Sequence, residues 1–205
     1  MYTCASCTVH ACRTGERDKL PKNCPIRNGE LMETAFEQYG TEENHRFYVE
    51  SSKIESAGYG QWPRIREIIE FARNMGYEKL GVAFCSGLAE EGRIACDILR
   101  RHGFTVVSVI CKSGSIPKER AGLQDSEKVR PGRFEPMCNP IAQAMLLNEQ
   151  KTQFNIVIGL CVGHDSLFYR YADAPVTTLV TKDRVLAHNP AGALYCANSY
   201  FKSKL

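Results

Sequence analysis

The spacing of apolar and polar positions changes near residue 77. Before it, from Glu30 to Gly76, apolar residues recur at helical intervals. Leu31, Thr34–Ala35 and Gln38–Tyr39 predict a short helix ending at Gly40. Thr41 is placed to cap a second helix, running through Phe47, Val49 and Ile54 towards Gly58. Pro63 opens a third, where Ile65, Ile68, Ile69, Ala72 and Met75 form an apolar stripe and Gly76 supplies a left-handed cap. The three stripes are expected to be core. After Tyr77, short apolar β-branched runs alternate with helical stretches. Lys79–Phe84, Phe104–Ile110, Phe154–Leu160 and Pro175–Val180 are strand-like, and strands this apolar are buried on both faces of a sheet. The helix Leu88–His102, closed by Gly103, separates the first two. Asn139-Pro140 marks the start of another helix: asparagine accepts from a free first-turn N–H, and proline fits the first helical position. Asn189-Pro190 repeats the signal before Leu194, Tyr195 and Tyr200.

Alternating strands and helices predict an α/β fold, a small doubly wound, mostly parallel, Rossmann-like sheet. Right-handed crossovers make 2-1-3-4 the simplest order, with the switch point between the first and third strands. Lys182-Asp183-Arg184 is a candidate turn into Val185-Leu186-Ala187, giving a hairpin at the sheet edge. The expected organisation is a cysteine-rich segment over residues 1–29, a helical segment packed on the core over 30–76, and the α/β domain over 77–205. A long, charged, Gly-containing loop, 112–136, interrupts that domain, and loops of this length are functional or disordered.

Composition changes this picture in one respect. The chain has 205 residues, 43% of them hydrophobic, and a formal net charge of +3, none of which sets it apart from an ordinary globular protein. That charge is weak support for a polyanion partner. Arg13, Arg17, Lys19, Lys22 and Arg27 form a basic run, but Glu16 and Asp18 interrupt it and no aromatic residue stacks between them, so no nucleic-acid partner is expected. No segment is long and apolar enough to span a bilayer, and Met1–Cys7 lacks a secretory start, so a cytoplasmic protein without a membrane partner is expected. Against that background ten cysteines stand out. A reducing compartment disfavours a disulfide framework, leaving metal binding or thiol chemistry.

Four of them, Cys4-x2-Cys7-x4-Cys12-x11-Cys24-Pro25, lie in a stretch with neither helical nor strand periodicity. A coreless segment needs another staple. Two thiols separated by two residues sit on one turn and grip a single ion, and thiolates suit zinc or an iron–sulfur cluster. The spacing matches neither a ββα finger nor the bacterial ferredoxin run, so zinc and iron–sulfur are not separated. His10 lies within the segment as an alternative ligand or an exposed loop residue.

A second set, Cys85, Cys111 and Cys161, falls at the carboxyl ends of the first three predicted strands, and Cys138 enters from the loop before a helix. In open α/β sheets ligands bind at that edge. Cys138 and Cys161 also precede helix starts, where partial positive charge favours thiolate. Cys161 is singled out as nucleophile, with Cys85 as alternative and His164 as acid or base. Unrelated buried thiols are the competing reading, and the one preferred for Cys96 and Cys196. Gly114, Lys112 and Lys118 offer an anion site or a solvated loop. Asp165 reads as a helix cap and His188 as a turn residue. The glycine-rich fingerprints of nucleotide binding are absent from the chain.

These motifs together resemble a family of small cysteine-rich bacterial and archaeal proteins, catalogued as a domain of unknown function and described as metal-binding. The carrying residues are Cys4-Ala-Ser-Cys7 with Cys12 and Cys24-Pro25, Phe84-Cys85-Ser-Gly-Leu88, Cys111-Lys112-x-Gly114-x-x-Pro117-Lys118, Met137-Cys138-Asn139-Pro140-Ile141-Ala-Gln143, Gly159-Leu-Cys161-Val-Gly-His164-Asp165-Ser-Leu-Phe168, and Val185-Leu-x-His188-Asn189-Pro190. The resemblance covers nearly the whole chain. It implies metal binding through cysteines and carries no reaction with it.

The resulting expectation is a metal site at Cys4, Cys7, Cys12 and Cys24 and a second thiolate site, redox-active or cluster-binding, at Cys85, Cys111, Cys138 and Cys161. The cofactor would be zinc or an iron–sulfur cluster, and the partner a small molecule or redox protein. A metal-independent thiol–disulfide enzyme using Cys161 or Cys85 and a zinc-stapled interaction module are the alternatives. Oligomeric state is not readable from the sequence.

Overall fold

The computed structural model describes residues 1–205. Four parallel strands form one sheet in the order β2-β1-β3-β4: β1 (Lys79–Phe84), β2 (Thr105–Ile110), β3 (Phe154–Ile158) and β4 (Val176–Val180). This is the expected order, with the reversal between β1 and β3. All five residues of β3 and the middle of β1 are buried, whereas the edge strands β2 and β4 are partly exposed. Burial on both faces explains why the central strands read as unbroken apolar runs.

The helices pack on both faces. The side chain of Phe84 lies against Gly92 of α5 (Ala89–Arg101), while Gly81 faces Leu147 of α6 (Pro140–Glu149). Residues 81 and 84 point to opposite faces because side chains alternate along a strand. A Cβ at Gly81 would come within 2.0 Å of Asn155 Oδ1, so this close approach needs glycine. The α4 helix (Arg64–Asn74) buries Ile68, Ile69, Phe71 and Ala72. The Phe71 ring meets Phe154 at 5.4 Å, and Tyr77 stacks on Phe154 at 5.8 Å. The remaining long connection of this part is α7 (His164–Tyr171), between β3 and β4.

The chain forms two compact units, Met1–Ala57 and Gly58–Leu205. The sequence suggested three segments with a break after residue 76. The aromatic contacts of α4 with the start of β3 join that helix, expected to pack on the core, to the sheet unit. The first unit holds α1 (Ala11–Thr14), α2 (Gly29–Glu37) and most of α3 (Glu42–Gly58). Asn28 caps α2, and Thr41 Oγ1 accepts from Asn44 N at 3.3 Å. The apolar stripe of α2 is not core. Leu31 is 50% exposed and Phe36 72%, and the rings of Phe36, Tyr39 and Tyr48 cluster on one another instead.

Three other expectations change near the end of the chain. No hairpin follows β4. Asp183 Oδ1 accepts from the N–H groups of Val185 and Leu186, which closes a turn in place of a strand. Helix α8 covers only Ala191–Tyr195, and Pro190 takes the cap position with no side-chain bond from Asn189. Asp165 is the second residue of α7, and its carboxylate accepts from Ser166 N, while Gly163 takes the cap position. No helix is long and apolar enough to cross a membrane.

Candidate functional site

Parallel strands deliver their carboxyl ends to one edge of the sheet, and each strand contributes a reactive or charged group there. Cys85 follows β1, Cys111-Lys112 follow β2, Cys161 and His164 follow β3, and Lys182 and Arg184 follow β4. The turn after β3 is set by Gly159, whose φ is +64° and whose missing Cβ leaves room for Leu88. Its N–H still bonds Val180 O at 2.7 Å. That turn carries the chain to Cys161, whose carbonyl accepts from His164 N and Asp165 N and so opens α7.

Cys138 arrives by another route. The 112–136 loop is ordered, and its two feet are tied together. Asn139 N donates to Cys111 O at 2.7 Å, Met137 N to Ile116 O at 2.7 Å, and Lys118 N to Glu135 O at 3.1 Å. Asn139 then caps α6 by accepting from Ala142 N at 3.1 Å, as its sequence signal predicts. Cys138 is therefore held directly over the end of β2.

Cys85, Cys111, Cys138, Cys161, His164, Gln143 and Leu160 line one hollow with no room for a water molecule. The structure brings the four strand-edge thiols and His164 together. Cys111 adjoins both Cys85 and Cys138, raising the pKa of the first thiol and lowering that of the second. Backbone N–H groups of Ser86 and Gly87 point at the sulfurs of Cys111 (3.3 Å) and Cys85 (3.4 Å). Three cations complete the shell. Lys112 Nζ lies 3.4 Å from Cys138 Sγ, Arg184 Nη2 is 3.0 Å from Cys161 Sγ, and Lys182 lies beside Gly87 next to Cys85.

This wiring sets the acidities. The Cys111 hydrogen bond, helped by the Lys112 charge, brings the Cys138 thiol down to about 6. Cys85 is pushed up to about 12 by the adjoining Cys111 and by burial. His164 is held below the ordinary imidazole range by burial and by Lys112. The shift favours thiolate at Cys138, whereas the sequence singled out Cys161 as nucleophile. A helix start close behind is common to both, and what distinguishes Cys138 is an adjoining thiol and a lysine from the far foot of its loop.

Sequence reasoning missed Gln143 and Arg184. Gln143 is fully buried, and its amide nitrogen donates to Phe84 O (3.2 Å) and Val109 O (2.7 Å), pinning the ends of β1 and β2. The available signal was a polar residue on the α6 face that carries Pro140, Ala144 and Leu147. Arg184 carried no local signal, because it reaches the site only through the turn after β4. Lys118 is ion-paired with Glu135, which removes it from the suggested anion site.

The N-terminal cysteines behave differently. Cys4, Cys7 and Cys24 line a separate cavity of about 220 Å³ together with Thr3, Asn23 and Pro25. Asn23 Nδ2 donates to Thr3 Oγ1 across it at 2.6 Å. Cys12 is exposed on α1 and does not line that cavity, nor does His10, whose backbone is left-handed at φ 50°. No three of the chain's His, Cys, Asp and Glu side chains stand in a geometry that could hold a metal ion.

Fold and site together define a doubly wound α/β protein with a thiol cluster at its topological switch point. The family described as protein of unknown function (DUF1847) matches residues 24–179. The chain is also 43% identical over 202 residues to an uncharacterized protein of Methanocaldococcus jannaschii, covering 98% of this chain and 97% of that one. The chain belongs to this family, as the motif resemblance implied.

Proposed function

We propose that this protein binds a soft metal ion, zinc or iron within a cluster, through its strand-edge cysteines. The observation that carries the reading is the hollow itself. Four thiols from separate stretches of chain line a space too small for water, ringed by Lys112, Lys182 and Arg184. Without a metal the thiols face three cations. Four thiolates around a divalent ion carry a net charge near −2, which three surrounding cations balance better. Sulfur donors select zinc and iron–sulfur clusters. Binding requires the thiols to give up their mutual hydrogen bonds and turn inward. The three thiols at the N-terminal cavity support a second, smaller site of the same chemistry, without Cys12.

The test is iron and zinc content after anaerobic purification, with cobalt(II) titration of the stripped protein. Wild type is expected to bind metal with sulfur-to-metal charge-transfer absorption. Cys85→Ser with Cys161→Ser should abolish the strand-edge share, and Cys96→Ser, buried within α5, should abolish none of it. Full metal content in the double variant would discard the assignment.

One observation favours a metal-independent reading, namely the Cys138 thiolate with the Cys111 thiol bonded to it. Here Cys138 would attack a substrate disulfide and release one substrate thiolate. Cys111 would then lose its proton and attack Cys138 Sγ, freeing the second thiolate. One protein disulfide forms, and one substrate disulfide is reduced to two thiols. Rapid alkylation confined to Cys138, in protein that binds no metal, would favour this reading.

A further inference from the structure

Cys111 has two thiol neighbours, and the thiol–disulfide reading uses only one of them. Phe84 and Ile110 are register partners at the ends of β1 and β2, so Cys85 and Cys111 are the next residues on adjacent parallel strands. The ladder continues past both. Cys111 N donates to Phe84 O at 2.9 Å, and Cys85 N donates to Ile158 O at 3.0 Å. One ladder step is about 4.8 Å, and a disulfide joins Cα atoms roughly 4.4–6.8 Å apart. The backbone spacing of this pair therefore suits a disulfide. Ser86 N donates to Cys111 Sγ at 3.3 Å, which holds that sulfur against the chain leaving Cys85. On the other side, Asn139 N donates to Cys111 O at 2.7 Å, which sets Cys138 beside the same thiol. The three thiols differ in access. Cys85 and Cys111 are buried, whereas Cys138 is half-buried. The hollow they share has no room even for water, so a substrate disulfide meets Cys138 and not Cys85.

Resting on the thiol–disulfide reading above, we propose that Cys85 is a second resolving thiol, which moves the disulfide from Cys111–Cys138 to Cys85–Cys111 and frees Cys138 again. Cys85 gives up its proton to solvent, and its sulfur attacks Cys111 Sγ. The Cys85–Cys111 bond forms, the Cys111–Cys138 bond breaks, and the electron pair leaves on Cys138 Sγ. One disulfide replaces another, so the substrate disulfide already consumed is the only oxidant needed. Charge is placed to help at both ends. Lys112 Nζ, 3.4 Å from Cys138 Sγ, stabilises the departing thiolate. Lys182 lies beside Gly87, next to the attacking Cys85. The product disulfide then sits between two buried residues, where reductants in solution do not reach it. The accessible thiol, Cys138, is left free to form a mixed disulfide with a second substrate molecule.

The experiment uses the full chain, reduced, freed of metal with a chelator and treated anaerobically with oxidised glutathione. Samples are quenched over time with N-ethylmaleimide, and the linked and alkylated peptides are identified by mass spectrometry. Wild type is expected to pass through a Cys111–Cys138 link and to end with Cys85 joined to Cys111 and Cys138 alkylated. Cys85→Ala should stop at the Cys111–Cys138 link, with Cys138 protected from alkylation. Cys138→Ser should gain the Cys85–Cys111 link at least about tenfold more slowly, because the accessible thiol that starts the exchange is missing. The wild-type time course needs no variant, so a folding defect in either substitution leaves the test intact. A wild type that ends with Cys111–Cys138 linked and Cys85 alkylated overturns this inference and leaves the thiol–disulfide reading standing. A Cys138→Ser chain that gains the Cys85–Cys111 link at the wild-type rate also overturns it. A wild type in which Cys138 enters no disulfide at any time overturns the thiol–disulfide reading and this inference with it.

Discussion

Cys138 shows how one residue acquires its chemistry from the fold. Its thiol is lowered to about 6 by the Cys111 hydrogen bond and then by Lys112. Alkylation of metal-free protein, followed by mass spectrometry, should therefore give a midpoint near pH 6 at Cys138. Lys112→Met should move that midpoint upward, and a midpoint in the ordinary thiol range in wild type would refute the wiring. The same shift bears on stability. The folded-state value lies below the unfolded thiol value of roughly 8.5. This group's contribution is therefore fully present above pH ~8.5 and is lost as pH falls towards 6. Cys85 works in the opposite sense. Its folded value is about 12, so its contribution is present below pH ~8.5 and is lost as pH rises towards 12. Urea unfolding of metal-free protein between pH 6 and 9 should show the Cys138 dependence, and Cys138→Ser should remove it. Strand-end position can be read from a hydrophobic run, but the partner of a thiol across 26 residues cannot.

At the scale of elements, the 112–136 loop is where sequence and structure differ most in kind. Its polar composition is that of a solvated or disordered loop. Its order comes from charges that meet only when the loop is closed. Lys128 is buried and reaches Glu119 at 2.7 Å, Asp125 at 2.6 Å and Arg133 O at 2.6 Å. Lys118 pairs with Glu135, and Pro117 bridges Pro136. Nothing in the spacing of these residues announces the pairing. Lys128→Met should leave two acidic groups without their shared cation and make residues 119–134 susceptible to limited proteolysis, while the sheet stays intact. If loop cleavage matches wild type, Lys128 does not organise the loop. The α6 start is the contrasting case, where Asn139-Pro140 was legible because a cap is a local contact. Asn139→Ala removes the bond to Ala142 N and should cost about 1 kcal/mol, measurable as a lowered denaturation midpoint. The edge hairpin failed for a similarly local reason: the Asp183 carboxylate captures two backbone N–H groups that a strand would need.

At the scale of the molecule, the division of the chain falls at Ala57–Gly58, and every strand and every strand-edge group belongs to the second unit. The fully buried side chains Leu80, Val82, Leu88, Leu99, Leu147, Ile156, Ile158 and Phe168 all lie there as well. The strand order was legible because parallel strands of this apolarity leave few right-handed arrangements. The boundary was not, because an amphipathic helix such as α4 carries no mark of which core its stripe joins. A fragment beginning at Gly58 contains α4, the sheet, the loop and the whole thiol hollow. It should fold cooperatively, keep the Cys138 alkylation midpoint near pH 6 and, if the metal reading holds, retain the strand-edge metal while losing any bound at Cys4, Cys7 and Cys24. Metal counts on the full chain and on the fragment therefore separate the two sites, which no single cysteine variant does as cleanly. A fragment that folds but carries no metal, from a full chain that does, would move the metal chemistry to the first unit and leave the strand-edge thiols as a redox pair.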